Sequence, residues 1–349
     1  MNFEKKVLKN LEKCYSIAPL TFHGKHCFLV AAEKHSACYL FDENGKYLDT
    51  VWEEPGGVMT MVQLPGRDGE FLATHRFYSP NDSQSASLVY VRHETEKGWV
   101  VRELIKLPFV HRFDIFQTED SCYLLACTLK SDHQYKDDWR FPGKIYVGKL
   151  PENLADFCDK KQFELTVLKE NLLKNHGYSR CIEDKIQTGI ISCENGIFQV
   201  YPPRDSNSTW TVKELLEIPA SDTIKLDLDG DGTDELFVFT PFHGDTIQIY
   251  HQYNDDWKMV YEHPQKLEML HAIDCGTINQ KKCIYFGYRK QERKLMCLYY
   301  DVEKKKYQTE TIDEDCGPAN IHFFTLQEKE CLIAANREID EIALYINKS

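Results

Sequence analysis

One apolar strand pattern, rich in small residues, recurs seven times along this chain, at 27–32, 71–74, 122–127, 188–193, 236–240, 283–287 and 331–336. Each copy is followed by a second run ending in aromatic or β-branched residues, at 38–41, 88–91, 144–147, 196–201, 246–250, 295–300 and 342–346. A third piece runs from Trp99 to Pro108, returns from Trp210 to Pro219, and starts again in shorter form at Trp257. Short alternating or apolar runs separated by polar turns are the mark of an all-β chain. Self-similarity at a fixed period means that each unit buries its faces against its neighbours.

The period of roughly 40–60 residues, with four strands in each unit, is that of propeller blades. The chain therefore reads as an all-β, seven-bladed β-propeller of four-stranded blades, a single domain over residues 1–349. The blades begin near residues 16, 57, 109, 174, 222, 269 and 318. The last blade runs out of chain after its third strand. Residues 5–12, around Val7, Leu8 and Leu11, resemble the fourth strands and are expected to complete it, leaving no long unpaired edge. The competing reading of this segment is a helix, because Phe3, Val7, Leu8 and Leu11 also have helical spacing.

Charge and composition narrow the function. A formal net charge of −13 argues against nucleic acid and against anionic membrane surfaces as partners. There is no apolar run long enough to cross a bilayer as a helix. The charged start, Met1 to Lys6, lacks the apolar stretch of a secretory signal. Thirteen cysteines, an odd number without CxxC pairs, several inside apolar strands, suit a cytoplasmic protein with reduced thiols. Phosphate loops, dinucleotide fingerprints and serine-nucleophile elbows are not evident.

Two constellations carry chemistry. The first is the acidic stretch Asp227, Asp229, Asp231, Thr233 and Glu235, with glycines at 230 and 232. Alternating carboxylates wrap a hard cation, and a glycine at the sixth position permits the sharp turn. Position 12 is Val238 instead of the glutamate of an EF-hand. These residues are expected to hold one structural Ca2+. Asp114 and Asp274 stand at the equivalent of Asp227 in two other blades without the further acids.

The second is histidine. His111, His176, His271 and His322 recur near the start of first strands, three places before Asp114, Ser179, Asp274 and Thr325. First strands line a propeller's channel, so these four are candidate ligands for a divalent transition metal such as Zn2+ or Mn2+. Loops leaving the second strands open on the same face. They bring His35, His75, His133 and His243, with Arg289 and Arg337. His243 is the candidate acid/base, the two arginines would orient substrate oxygens, and His35, His75 and His133 would line the rim. The polar insert 131–140 would overhang the mouth as a lid, and Tyr78, Tyr135 and Tyr288 would stack on sugars.

The acidic stretch resembles the calcium loop of FG-GAP or VCBS-type blades in integrin-like propellers. With residues 240–245 and 334–338, it also gives a distant resemblance to the propeller domain of the fungal aldos-2-ulose dehydratases. That resemblance implies metal-assisted loss of water from a keto-sugar. Propeller-type oligogalacturonide lyases show the same architecture with histidine-bound metal. The expectation is a metal-dependent carbohydrate lyase or dehydratase acting on a small-molecule sugar at the channel mouth. The alternatives are a calcium-stabilised binding platform without catalysis, and a glycoside hydrolase using Glu33, Glu194 and Glu338.

Overall fold

The computed structural model describes every residue except Met1, Asp120, Ser206, Asn207, Asp255 and Ser349. Seven four-stranded antiparallel sheets follow one another along the chain and close into a ring, a seven-bladed β-propeller. Among the described residues the only helical element is the single turn Arg337–Ile339. The first strands of blades 1 to 7 are Cys14–Phe22, Met61–Gln63, Val110–Gln117, Gly177–Glu183, Asp222–Leu226, Leu270–Ile278 and Asn320–Leu326.

The second strands are buried on both faces, which is why they read as continuous apolar runs. Val30, Leu72, Ile190, Val238, Ile284 and Ile333 are each 0% exposed. Fourth strands lie at the perimeter and are the least buried, and no residue of Thr211–Leu216 is fully buried. The core is a set of clusters between neighbouring blades. One joins Leu29, Leu40 and Val51 of blade 1 to Phe71, Val89 and Val91 of blade 2. At roughly 1.5–3 kcal/mol for each fully buried side chain of this size, blade contacts dominate the folding energy.

The N-terminal segment closes the ring as a strand. Phe3–Asn10 pairs antiparallel with Glu341–Asn347, from Phe3 opposite Asn347 to Asn10 opposite Glu341. It thus begins earlier than the sequence pattern suggested. The Lys5 ammonium locks the seam by meeting Asp313 and Glu341, each at 2.8 Å. The leucine spacing that also suits a helix is overridden, because the last blade offers a complete row of unpaired backbone groups.

Three first strands begin with a β-bulge, and this detail builds the site. The pairing skips one residue between Cys14 and Ser16, between Val110 and Arg112, and between Leu270 and Ala272. The skipped residues are Tyr15, His111 and His271. A bulge re-aims its side chain out of the pleat. All thirteen cysteines are free thiols, ten of them buried. No helix among the described residues is long and apolar enough to cross a membrane.

Candidate metal centre

Three imidazoles converge where the first strands begin. The donor nitrogens of His176, His243 and His271 all lie within 4.8 Å of one another. His176 immediately precedes the first strand of blade 4, where its N–H bonds to the Ser192 carbonyl at 3.2 Å. His271 is the bulged residue of blade 6. His243 arrives from the loop after the second strand of blade 5, in a left-handed conformation with φ of 48°. That loop turns tightly because Gly244 bonds to the Pro241 carbonyl at 2.8 Å, and a Cβ on Gly244 would lie 2.5 Å from Pro241. The Gly244 carbonyl then accepts the Leu270 N–H at 3.0 Å, which fixes His243 beside His271.

The hydrogen bonds settle the tautomers. A carbonyl oxygen only accepts, so the His271 Nδ1 donates to Ala319 O at 2.7 Å and its Nε2 keeps a lone pair. The His111 Nδ1 donates to His176 O at 3.2 Å in the same way. The His176 Nδ1 faces the Asp222 carboxylate at 3.1 Å and the Ser221 carbonyl at 3.3 Å. Carboxylate or carbonyl partners behind Nδ1 are how metal-binding imidazoles are held and made more basic. The Nε2 atoms of His176 and His243 are 3.2 Å apart. Two ligands on a tetrahedral zinc, with bonds of about 2.0–2.1 Å, would be separated by about 3.3 Å. The Tyr15 hydroxyl sits 3.1 Å from the His271 Nε2.

The surroundings of His111, His243 and His271 favour their neutral form. Burial is the main cause that holds His111, His243 and His271 well below the usual imidazole range. For His243 and His271 the next causes are the neighbouring His176 and Arg289 charges respectively. Neutral imidazole is the state that binds metal.

The remaining site candidates are placed differently. His111 packs against His176 with ring centroids 4.6 Å apart and planes tilted by 37°, so it adjoins the trio without joining it. His322 is elsewhere. In blade 3 the first pair after the bulge is Arg112 with Cys127, and its counterpart in blade 7 is Asn320 with Ala335. His322 pairs with Ile333, two positions further on, and meets Asp274 at 3.4 Å. Sequence spacing put it in register with His111, but blade 7 lacks the bulge. A two-residue slip keeps the face and moves the side chain about 6–7 Å along the strand.

Arg289 and Arg337 are engaged by carboxylates. Arg289 meets Glu338 at 2.7 Å, Arg337 meets Glu338 at 2.9 Å, and Arg337 also pairs with Glu33. This chain of charges ties blades 6, 7 and 1 at the rim, and it occupies Glu33 and Glu338. Glu194 faces Lys174 at 3.6 Å. His75 is buried edge-on against Trp52, and burial pushes its pKa down to about 3. It borders a cavity between blades 1 and 2, with Glu54 and Lys106, and not the channel. His35 lies on the Tyr78 ring at 4.1 Å, and His133 stands edge-on to Phe109 at 5.6 Å. The insert 131–140 is pinned to blade 2 by paired bonds between Asn81 and Asp137 of 2.9 and 2.8 Å. Its Trp139 reaches Phe242, beside His243, at 5.4 Å.

At the opposite end, the acidic loop joins the first and second strands of blade 5. Asp227, Asp229 and Asp231 each bring a carboxylate oxygen within 4.8 Å of the others, and two carboxylate oxygens of Asp229 and Glu235 and a ring nitrogen of His251 lie equally close together. Backbone N–H groups of Gly230, Asp231 and Thr233 donate back to Asp227, Asp229 and Asp231 at 2.8–3.0 Å. Glu235 is 1% exposed, and its Oε1 has no hydrogen-bond partner. Burial, then the Asp229 charge, pushes its pKa up to about 7. A buried carboxyl left in this condition is relieved by a cation. Asp114 and Asp274 are committed to neighbouring blades. Asp114 accepts from Tyr178 and Arg180, and Asp274 accepts the Phe323 N–H at 2.7 Å.

Sequence reasoning missed Tyr15, Arg112, Asp222 and His251. His251 stands directly opposite Glu235 across the sheet and meets Asp231 at 3.0 Å. Its strand-pair register is the signal that would have found it. The other three depend on bulges and on contacts between blades.

No family model and no curated protein matches this chain. Among solved structures it is similar to the Cps50 (Swd1) β-propeller domain of Myceliophteria thermophila, at 8% identity and a TM-score of 0.60. The match covers 98% of this chain and 99% of that one. At this identity the likeness shows the propeller fold alone.

Proposed function

We propose that the chain is a metal-dependent carbohydrate lyase or dehydratase with its centre at the channel mouth. The observation that carries this reading is the convergence of His176, His243 and His271, with Nε2 atoms of the first two 3.2 Å apart. His176, His243 and His271 would hold a divalent transition metal such as Zn2+, a role in which His243 replaces His111 and His322. A bound metal supplies Lewis acidity that polarises a substrate carbonyl and acidifies the neighbouring C–H. His111 keeps an Nε2 lone pair beside the trio and takes that proton. The C–H electrons form the double bond, the β-oxygen departs, and the proton returns to it, so the step is a balanced elimination. The buried free thiols support the proposal of a reducing, cytoplasmic setting.

The acidic loop is proposed as a structural calcium site on Asp227, Asp229, Asp231 and Glu235, with Thr233 in the turn. The second reading is a calcium-stabilised binding platform. It is favoured by one observation, the engagement of both Arg289 and Arg337 by carboxylates.

Metal analysis of purified protein, combined with ultraviolet detection of unsaturated product from keto-sugars and uronides, tests the lyase. One equivalent of transition metal with an absorbing product supports it. Stoichiometric metal without product leaves the platform reading, and hydrolysed product without ultraviolet absorbance points to the glycosidase.

A further inference from the structure

Next to the imidazoles lies an axial cavity of about 150 Å3, bounded by Thr60, Arg112, Tyr178, Asp222, His271 and Asn320. Arg112 follows the bulged His111 and donates from Nη1 to the Met59 carbonyl at 2.8 Å. Its Nε is shielded from solvent and has no hydrogen-bond partner. Among the described residues no carboxylate lies within ion-pairing distance of Arg112. Arg180, Arg289 and Arg337, by contrast, are paired: Arg180 with Asp114, Arg289 with Glu338, and Arg337 with Glu33 and Glu338.

A partly buried guanidinium with an orphaned N–H is costly unless an anion completes it. Asn320, also on the wall, accepts the Ile321 N–H with its amide oxygen at 3.1 Å, so the NH2 of this side chain remains a donor. The one acidic group on the wall, Asp222, already accepts from His176 and from the Ser221 hydroxyl at 3.0 Å. A guanidinium fork suits a carboxylate better than a neutral hydroxyl. A cavity of this size is comparable to one that holds a benzene molecule. It takes an acid group and the carbons next to it, and not an oligosaccharide.

We propose that Arg112 is a carboxylate receptor and that the substrate is a single sugar acid, its acid group on Arg112 and its carbon chain reaching the histidines. This names the substrate class of the lyase reading and rests on it for the reaction, though the binding stands on the cavity alone.

Calorimetric titration with glucuronate and glucose, a pair differing by the acid group, tests the assignment on zinc-loaded and on chelated protein. Glucuronate should bind the zinc-loaded protein roughly tenfold to a hundredfold more tightly than glucose, the span of a charge-assisted bond. Arg112→Gln should bring glucuronate to the level of glucose, and Arg112→Lys should keep part of the preference. Asn320→Asp leaves Arg112 intact and places a negative charge in the cavity, so it should weaken glucuronate and spare glucose. An acid preference that persists in chelated protein supports the receptor even if no metal is taken up, an outcome that would sink only the metal centre. Equal binding of the two sugars, or a glucuronate preference untouched by both Arg112→Gln and Asn320→Asp, overturns the proposal.

Discussion

The two ends of the channel hold their charged groups in opposite ways. At one end nitrogen donors come from blades 4, 5 and 6, between His176 and His271. At the other, oxygen donors come from a run of nine residues between Asp227 and Glu235, assisted by His251. The nitrogen cluster is pre-formed by partners behind two of its rings, Asp222 behind His176 and Ala319 O behind His271. The acidic loop satisfies itself with its own backbone and still leaves Glu235 short of a partner. A site assembled across the ring depends on the whole fold, while a loop site depends on one turn. The first therefore suits a selective borderline metal, and the second a hard, readily exchanged cation.

The largest expected effect separates the two ends directly. His176→Ala combined with His271→Ala should abolish stoichiometric zinc uptake by dialysed protein while calcium stabilisation, read from the melting temperature, stays intact. Loss of both together would show that the ends are not independent. Asp222→Asn removes only the carboxylate behind His176, and zinc affinity measured by competition with a chelating dye should fall about 10–100-fold.

Next in size is the response to pH at the calcium end. In chelated protein the Glu235 pKa stands at about 7, above the ordinary 4.5. Between those values the folded chain holds more protons than the unfolded one. This contribution to stability is present below 4.5 and lost as pH rises through about 7. His75, lowered from 6.5 to about 3, acts in the other direction and removes stability as pH falls below 6.5. Comparing melts of wild type and Glu235→Gln isolates the first slope, which calcium should cancel. The smallest effect is expected for His322→Ala, which should leave zinc uptake unchanged because His322 faces Asp274.

How much was legible in the sequence follows the same division. The propeller was readable because its buried second strands repeat as apolar runs, and its closure was readable because the final blade lacked a strand. The acidic loop was readable because its acidic residues lie within nine positions of one another, from Asp227 to Glu235. The histidine centre was only half readable. His176, His271 and His243 could be gathered to one end, but His322 could not be rejected, since the bulges at Tyr15, His111 and His271 leave no composition signal. The pairing of Arg337 with Glu33 joins residues 304 positions apart and appears only once the ring is closed.

The most direct measurement is X-ray absorption at the zinc edge of protein loaded with one equivalent. Three imidazole nitrogens at about 2.0–2.1 Å are expected, and their number should drop in His243→Ala. A first shell of oxygen alone, or a spectrum that His243→Ala leaves unchanged, would contradict the assignment of His176, His243 and His271 as the metal centre.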